Sequence, residues 1–272
     1  MVRAELLNLV STTSAKVTAL LALAGLVVTQ LAFVALLPAI VRGDIGGVEG
    51  AADEMGGFDL SAAASQLDAL SPLGASMGGG SVGIAILAIA IFGVLAGTSD
   101  YRFGGIVGAA LAAPRRWPIL TAKAAASGIS GLVLGTVLVL TSAAVLLVTL
   151  AVSGTPFTLD IGQAAAVLGR GAIVVTCLVL LGLAIGILTR SQLAGVLIVL
   201  TVMLSEPLVA GVTQMAAGTV PVWTQVLPVA LANAAIGTAP SLLPPLVAGG
   251  ILVGITAVAL IAAGAVVRRR DI

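Results

Sequence analysis

The chain has 272 residues, 60% of them hydrophobic and only 8% charged, with a formal net charge of +1. Soluble domains carry about 25% charged residues, so a water-facing surface is excluded for most of this polypeptide, and no basic tail is present to hold nucleic acid. Histidine is absent and Cys177 is the lone cysteine, which excludes His-dependent metal sites, Ser–His triads, HExxH proteases and an internal disulfide.

In chain order, the apolar runs predict an all-α, polytopic membrane protein with six transmembrane helices. They cover residues 17–41, 80–96, 124–152, 171–188, 193–217 and 242–267. Runs beyond about 18 apolar residues mark spanning helices, and in lipid the backbone must pair within each segment. Nothing alternates as barrel strands do. Residues 1–272 read as one polytopic membrane domain. Residues 1–16, with Arg3, Glu5 and Lys16, form a cytoplasmic N-terminal helix ahead of a retained first span, whose apolar run is too long for a signal-peptide core. Cys177 falls inside an apolar run and reads as a packing residue.

The connections differ in charge. Residues 42–79 set Arg42 against Asp44, Glu49, Asp53, Glu54, Asp59 and Asp68. Residues 97–123 carry Asp100, Arg102, Arg115, Arg116 and Lys123. The later connections hold Asp160, then Arg190, then no charge, before the tail Arg268-Arg269-Arg270-Asp271. Placing the N-terminus, the second and fourth connections and the tail on one side collects all of the 12 basic residues except Arg42 and Arg170. The positive-inside rule then puts both termini in the cytoplasm and the acidic 42–79 loop outside. Within that loop, residues 58–70 read either as an amphipathic helix on the outer surface, resting on Phe58, Leu60, Leu67 and Leu70, or as a solvated loop.

Three features stand out. The first is the cytoplasmic stretch around Asp100, Tyr101 and Arg102, followed by the apolar residues 106–111 and then Pro114, Arg115, Arg116 and Trp117. Too short to span, it reads either as a short helix docking into a partner's groove or as a membrane-surface helix anchored by Arg115, Arg116 and Trp117. The second is Glu206, which falls near the middle of the fifth run. A bare carboxylate there costs about 2.5–3.5 kcal/mol or more, so it must be protonated, paired or facing water. Alternatively the helix stops near Ser205, Pro207 opens a re-entrant segment, and Glu206 sits at the outer mouth as an anion at a helix N-terminus. The third is Arg170, which lines a path, pairs with Glu206, or snorkels to the interface.

These residues carry a resemblance. Asp100-Tyr101-Arg102 after the second span, then Pro114-Arg115-Arg116, then Ala122-Lys123 opening the third, resembles the ABC-2 type permeases, the membrane subunits of ATP-driven exporters, and especially their actinobacterial branch. Ala4-Glu5-Leu6, Glu206-Pro207-Leu208, Leu227-Pro228 and Arg268-Arg269-Arg270-Asp271 are similar to motifs of that family in the same order, so the likeness spans the chain. It departs at Asp100, where the family has glutamate, at Gly104-Gly105, where it has Gly-Thr, and near Asn8, where it often has lysine.

The resemblance implies that residues 97–123 contain the coupling helix, with Asp100, Tyr101, Arg102, Pro114, Arg115 and Arg116 contacting an ATPase. It also implies re-entrant helices between spans five and six. The chain itself has no GxxxxGK[ST] loop to cradle phosphates. ATP and Mg are therefore expected on a separate cytoplasmic ABC ATPase subunit, and no catalytic residue or cofactor is expected here. The expected partners are that ATPase, a second permease copy (identical or paralogous) and membrane lipid, in a prokaryotic plasma membrane. The rivals are an ATP-independent transporter or channel, an intramembrane enzyme, and a scaffold for other membrane proteins.

Overall fold

The computed structural model describes residues 1–41, 60–74, 82–103, 117–218, 221–238 and 241–269. Helix α1 (Val2–Ser11) is separated by the extended Thr12 from α2 (Thr13–Gln30), which runs on through a π-helical stretch, Leu31–Leu36, to Val41. Then come the short α3 (Ala63–Ala69), α4 (Ile84–Phe103), α5 (Trp117–Ser153), α6 (Ile161–Thr189), α7 (Gln192–Ala217), α8 (Pro228–Ile236) and α9 (Pro245–Arg269). No strand occurs among the described residues.

Five helices are long and apolar enough to cross a membrane: Thr13–Ile40, Leu120–Ser153, Ile161–Thr189, Gln192–Ala216 and Pro245–Val267. This is consistent with a multi-pass membrane protein. The second expected span corresponds to Ile84–Ser99, which is shorter. Large apolar side chains such as Leu20, Val133, Leu140, Leu208 and Val258 are exposed on the outside of the bundle, a surface that lipid tolerates and water does not.

Helices α4 and α6 form the centre of the bundle, with α2, α5, α7 and α9 packed around them. The centre is built on two glycine pairs at four-residue spacing, Gly93/Gly97 on α4 and Gly182/Gly186 on α6. A Cβ on Gly93 would stand 2.1 Å from the Val179 carbonyl oxygen, and one on Gly182 would stand 2.2 Å from that of Ala90. Gly97 and Gly186 likewise abut the Leu183 and Val94 carbonyl oxygens, at 2.7 and 2.6 Å. The contacts advance together along both chains, so α4 and α6 run parallel, backbone against backbone. This is the membrane packing device of small residues four apart.

Helix boundaries follow local chemistry. The Asp160 side chain accepts a hydrogen bond from the Gln163 N–H at 3.0 Å and caps α6. Arg190, with φ 53°, ends α6 in the left-handed region, and Ser191 immediately caps α7, accepting from the Ala194 N–H. Helix α6 begins at Ile161, ahead of the apolar run's start at 171 and where the alternative of an earlier start put it, with Arg170 inside the helix.

The described part of the 42–79 loop contains a short helix, α3, with Leu60, Leu67 and Leu70 turned to the core, as the amphipathic reading of 58–70 expected. Residues 61–64 are exposed, while Gln66, Asp68 and the whole of 69–74 are buried among the helices. The space exists because α4 starts low. Its first residue, Ile84, packs against Gly25 of α2, and α2 with its extension continues about 24 Å beyond that point at 1.5 Å per residue. Fully buried Gln30 donates through Nε2 to the carbonyls of Ala69 at 2.8 Å and Ser71 at 3.3 Å, and Ser142 of α5 donates to that of Leu70 at 2.9 Å. Gln66 donates to the Leu60 and Pro156 carbonyls and accepts from the Thr158 N–H. Backbone groups outside regular structure are thus paired by side chains, as burial requires. Phe58 lies outside the described residues.

Candidate functional site

Helix α8 is largely buried: Leu231, Ala232, Ala235 and Ile236 have at most 1% exposure. It packs against α9 and α6. A short buried helix leaves end groups that need partners, and two charged side chains supply them. Glu206, 5% exposed on α7, accepts hydrogen bonds from the Val229 N–H at 2.8 Å and, through its other oxygen, from the Ala230 N–H. Pro228 at the first helical position has no N–H to satisfy, so one carboxylate covers the next two donors. At the far end, Arg170 of α6 donates through Nε to the Ile236 carbonyl at 2.9 Å. The anion sits at the positive end of the α8 dipole and the cation at the negative end. Gly237, with φ 76°, closes the helix, and its missing Cβ makes room for Pro245 and the Arg170 guanidinium.

This arrangement answers the expectations for both residues. Glu206 and Arg170 do not pair with each other, because each is bound to an opposite end of α8. Nor does Pro207 open a new segment, since it lies inside a continuous α7, at the level where Glu206 turns inward. Glu206 is a helix N-terminal anion, but for α8 rather than for its own helix. The fold therefore joins two stretches that stand apart in the chain, Glu206-Pro207-Leu208 and Leu227-Pro228.

The second constellation lies at the opposite end of the bundle. The Lys123 ammonium, 7% exposed, donates to Glu5 Oε2 at 3.3 Å and to the Ala96 carbonyl at 3.2 Å. Lys123 lies in the second turn of α5, Ala96 lies on α4, and Glu5 lies on α1. One side chain thus ties both stems of the loop to the N-terminal helix. An apolar cluster of Leu9, Ala96, Ala126, Leu183, Ile187 and Ala263 underlies it. Replacing Lys123 by methionine leaves Glu5 and the Ala96 carbonyl without this donor and is expected to cost about 1–3 kcal/mol. A lowered Tm with faster amide exchange in α1 is the expected observation; Lys123→Arg, which keeps a cation, should lose less.

Asp100, Tyr101 and Arg102 belong to the last turn of α4, of which the backbone alone is described. Pro114, Arg115 and Arg116 lie outside the described residues. Sequence reasoning missed Gln30, Gln66 and Ser142 as organising residues, and it missed the Glu5–Lys123 contact, although both partners stood in the motifs quoted for the family resemblance. A glutamine in an apolar run was the available signal for Gln30. Among the described residues no three acidic or cysteine side chains gather to hold a metal. No protein-family model matches the chain, and no curated protein matches it.

Proposed function

We propose that this chain is the membrane-spanning permease subunit of an ABC-2 type exporter, with six spans, Ile84–Ser99 being the second. Both termini lie in the cytoplasm of a prokaryotic cell. A separate cytoplasmic ATPase binds ATP-Mg and docks on the 97–123 loop around Asp100 to Arg116. A second permease copy, identical or paralogous, completes the pathway, and α8 with the preceding Val222–Val226 turn forms the re-entrant outer element between spans five and six. The chain supplies no chemistry; it lines the path and transmits motion.

The observation that carries this reading is the Lys123 tie. A load applied to the loop passes directly into α1, α4 and α5 through one buried ammonium. The in-order motifs add to it. An ion-coupled carrier needs intramembrane ionisable groups free to bind and release, whereas Glu206 and Arg170 are committed to the ends of α8.

Co-expression with a cytoplasmic ABC ATPase from the same genome is the direct test. Co-purification of the two, with hydrolysis stimulated above that of the ATPase alone, is expected. Arg115→Glu together with Arg116→Glu should abolish that stimulation while leaving the permease Tm unchanged. A charge-reversed complex that assembles and hydrolyses ATP normally removes the docking role.

A further inference from the structure

We propose that residues 60–74 are a detachable strap that seals the outer half of the bundle and leaves its seat when the pathway opens; this rests on the transport reading above. The strap occupies the recess beyond the start of α4. The Leu73 carbonyl lies over Gly83, 2.6 Å from where a Cβ would be, and Pro72 fits against Gly171 of α6, whose added Cβ would stand 2.9 Å from the Pro72 Cγ. Gly74, with φ 103°, turns the chain beside Thr29 of α2. The strap therefore touches α2, α5, α6 and the residue leading into α4 at once, and these helices cannot separate on the outer side while it is seated.

The way it is held differs from the way the helices are held. Helices α4 and α6 interlock through their backbones. The strap hangs instead on individual side chains: Gln30 on α2, Ser142 on α5, and Gln66, which reaches across to Pro156 and Thr158 beyond α5. Each is a single rotamer that can let go without unwinding a helix. The seat is also incompletely satisfied, since Gln30 Oε1 is buried with no partner among the described residues. An orphaned acceptor of this kind is uncommon in a fixed core. The π-helical turns start at the next residue, Leu31, and such turns break the regular ladder where α2 meets the strap. A permanent filler would be expected to satisfy Gln30; a part that moves between two positions need not.

The test uses accessibility and requires no ATPase. In a Cys177→Ser background, Leu70→Cys, at a position only 3% exposed, is treated with a membrane-impermeant charged thiol reagent in sealed vesicles of both orientations. Slow labelling from the outer side is expected in the resting protein. Removing one seat with Gln30→Ala, or independently with Gln66→Leu, is expected to accelerate it about tenfold, while α4 and α6 exchange as slowly as in the parent. Amide exchange of the purified chain supplies a second measure, in which 60–74 should exchange faster than 84–103. Unchanged labelling in both variants, together with exchange as slow as that of α4, shows the strap to be fixed and overturns the proposal. Rapid labelling of the resting protein overturns it as well. If no ATPase ever co-purifies but unseating is observed, the coupling reading fails and the strap stands.

Discussion

Gly182→Val is expected to yield little or no monodisperse protein from detergent extracts, and Gly93→Val the same. The Cβ on Gly182 alone would stand 2.2 Å from the Ala90 carbonyl oxygen and 3.0 Å from the Val94 nitrogen. No side chain is there to swing aside, so α4 and α6 must move apart along their whole contact. Ordinary overpacking costs about 1–3 kcal/mol; a clash with backbone belongs at or above the top of that range, against a total stability of about 5–15 kcal/mol. Gly211 and Gly254 supply the control, because an added Cβ meets nothing within 4 Å at either. Valine at those positions should leave yield and Tm within the small range of ordinary surface changes. Wild-type behaviour of Gly182→Val would mean that the two helices are not in backbone contact.

The second large effect is expected at Glu206. Glu206→Leu removes both acceptors from the start of α8 and leaves the Val229 and Ala230 N–H groups in an apolar interior. Each unsatisfied buried donor costs about 1–3 kcal/mol, and the favourable interaction with the helix dipole is lost as well. Glu206→Gln retains one carbonyl oxygen and should lie between leucine and wild type. Arg170→Met, which removes one bond at the other end of α8, should be milder than Glu206→Leu. Thermal unfolding of the four proteins in detergent gives the ranking; a Glu206→Leu protein that melts with the wild type would show that α8 does not depend on this cap.

The hydrophobic runs alone made the bundle legible, because lipid-facing helices have no other way to read. The caps Asp160 and Ser191 were not anticipated, although their residue types favour that position. What escaped was whatever depends on a partner distant in the chain. Gly93, Gly97, Gly182 and Gly186 are four among 34 glycines, and no local pattern says which pairs meet. Glu206 looked stranded or interfacial because its two donors lie more than twenty residues on, across a turn. Pro207 suggested a break, yet the helix carries on, forgoing only the bond its missing N–H would have made to Met203. Residues 58–70 read either as an amphipathic helix or as a solvated loop; what stayed hidden is that the carbonyls of Ala69, Leu70 and Ser71 are matched to Gln30 and Ser142, residues whose roles show only once the chain is folded. The Asp100–Arg116 group drew the most functional weight from the sequence, and the described residues reach only its first turn.

The tight seam between α4 and α6 has a mechanical consequence. Two rods keyed through their backbones can neither slide nor roll past one another, so they behave as a single shaft. One end of that shaft meets the Lys123 tie through Ala96 and the apolar residues Leu183 and Ile187. The other end grips α8 through Arg170, about 24 Å from Gly186 by helical rise. A tilt imposed at the tied end must therefore reappear at α8 with little lost to bending on the way.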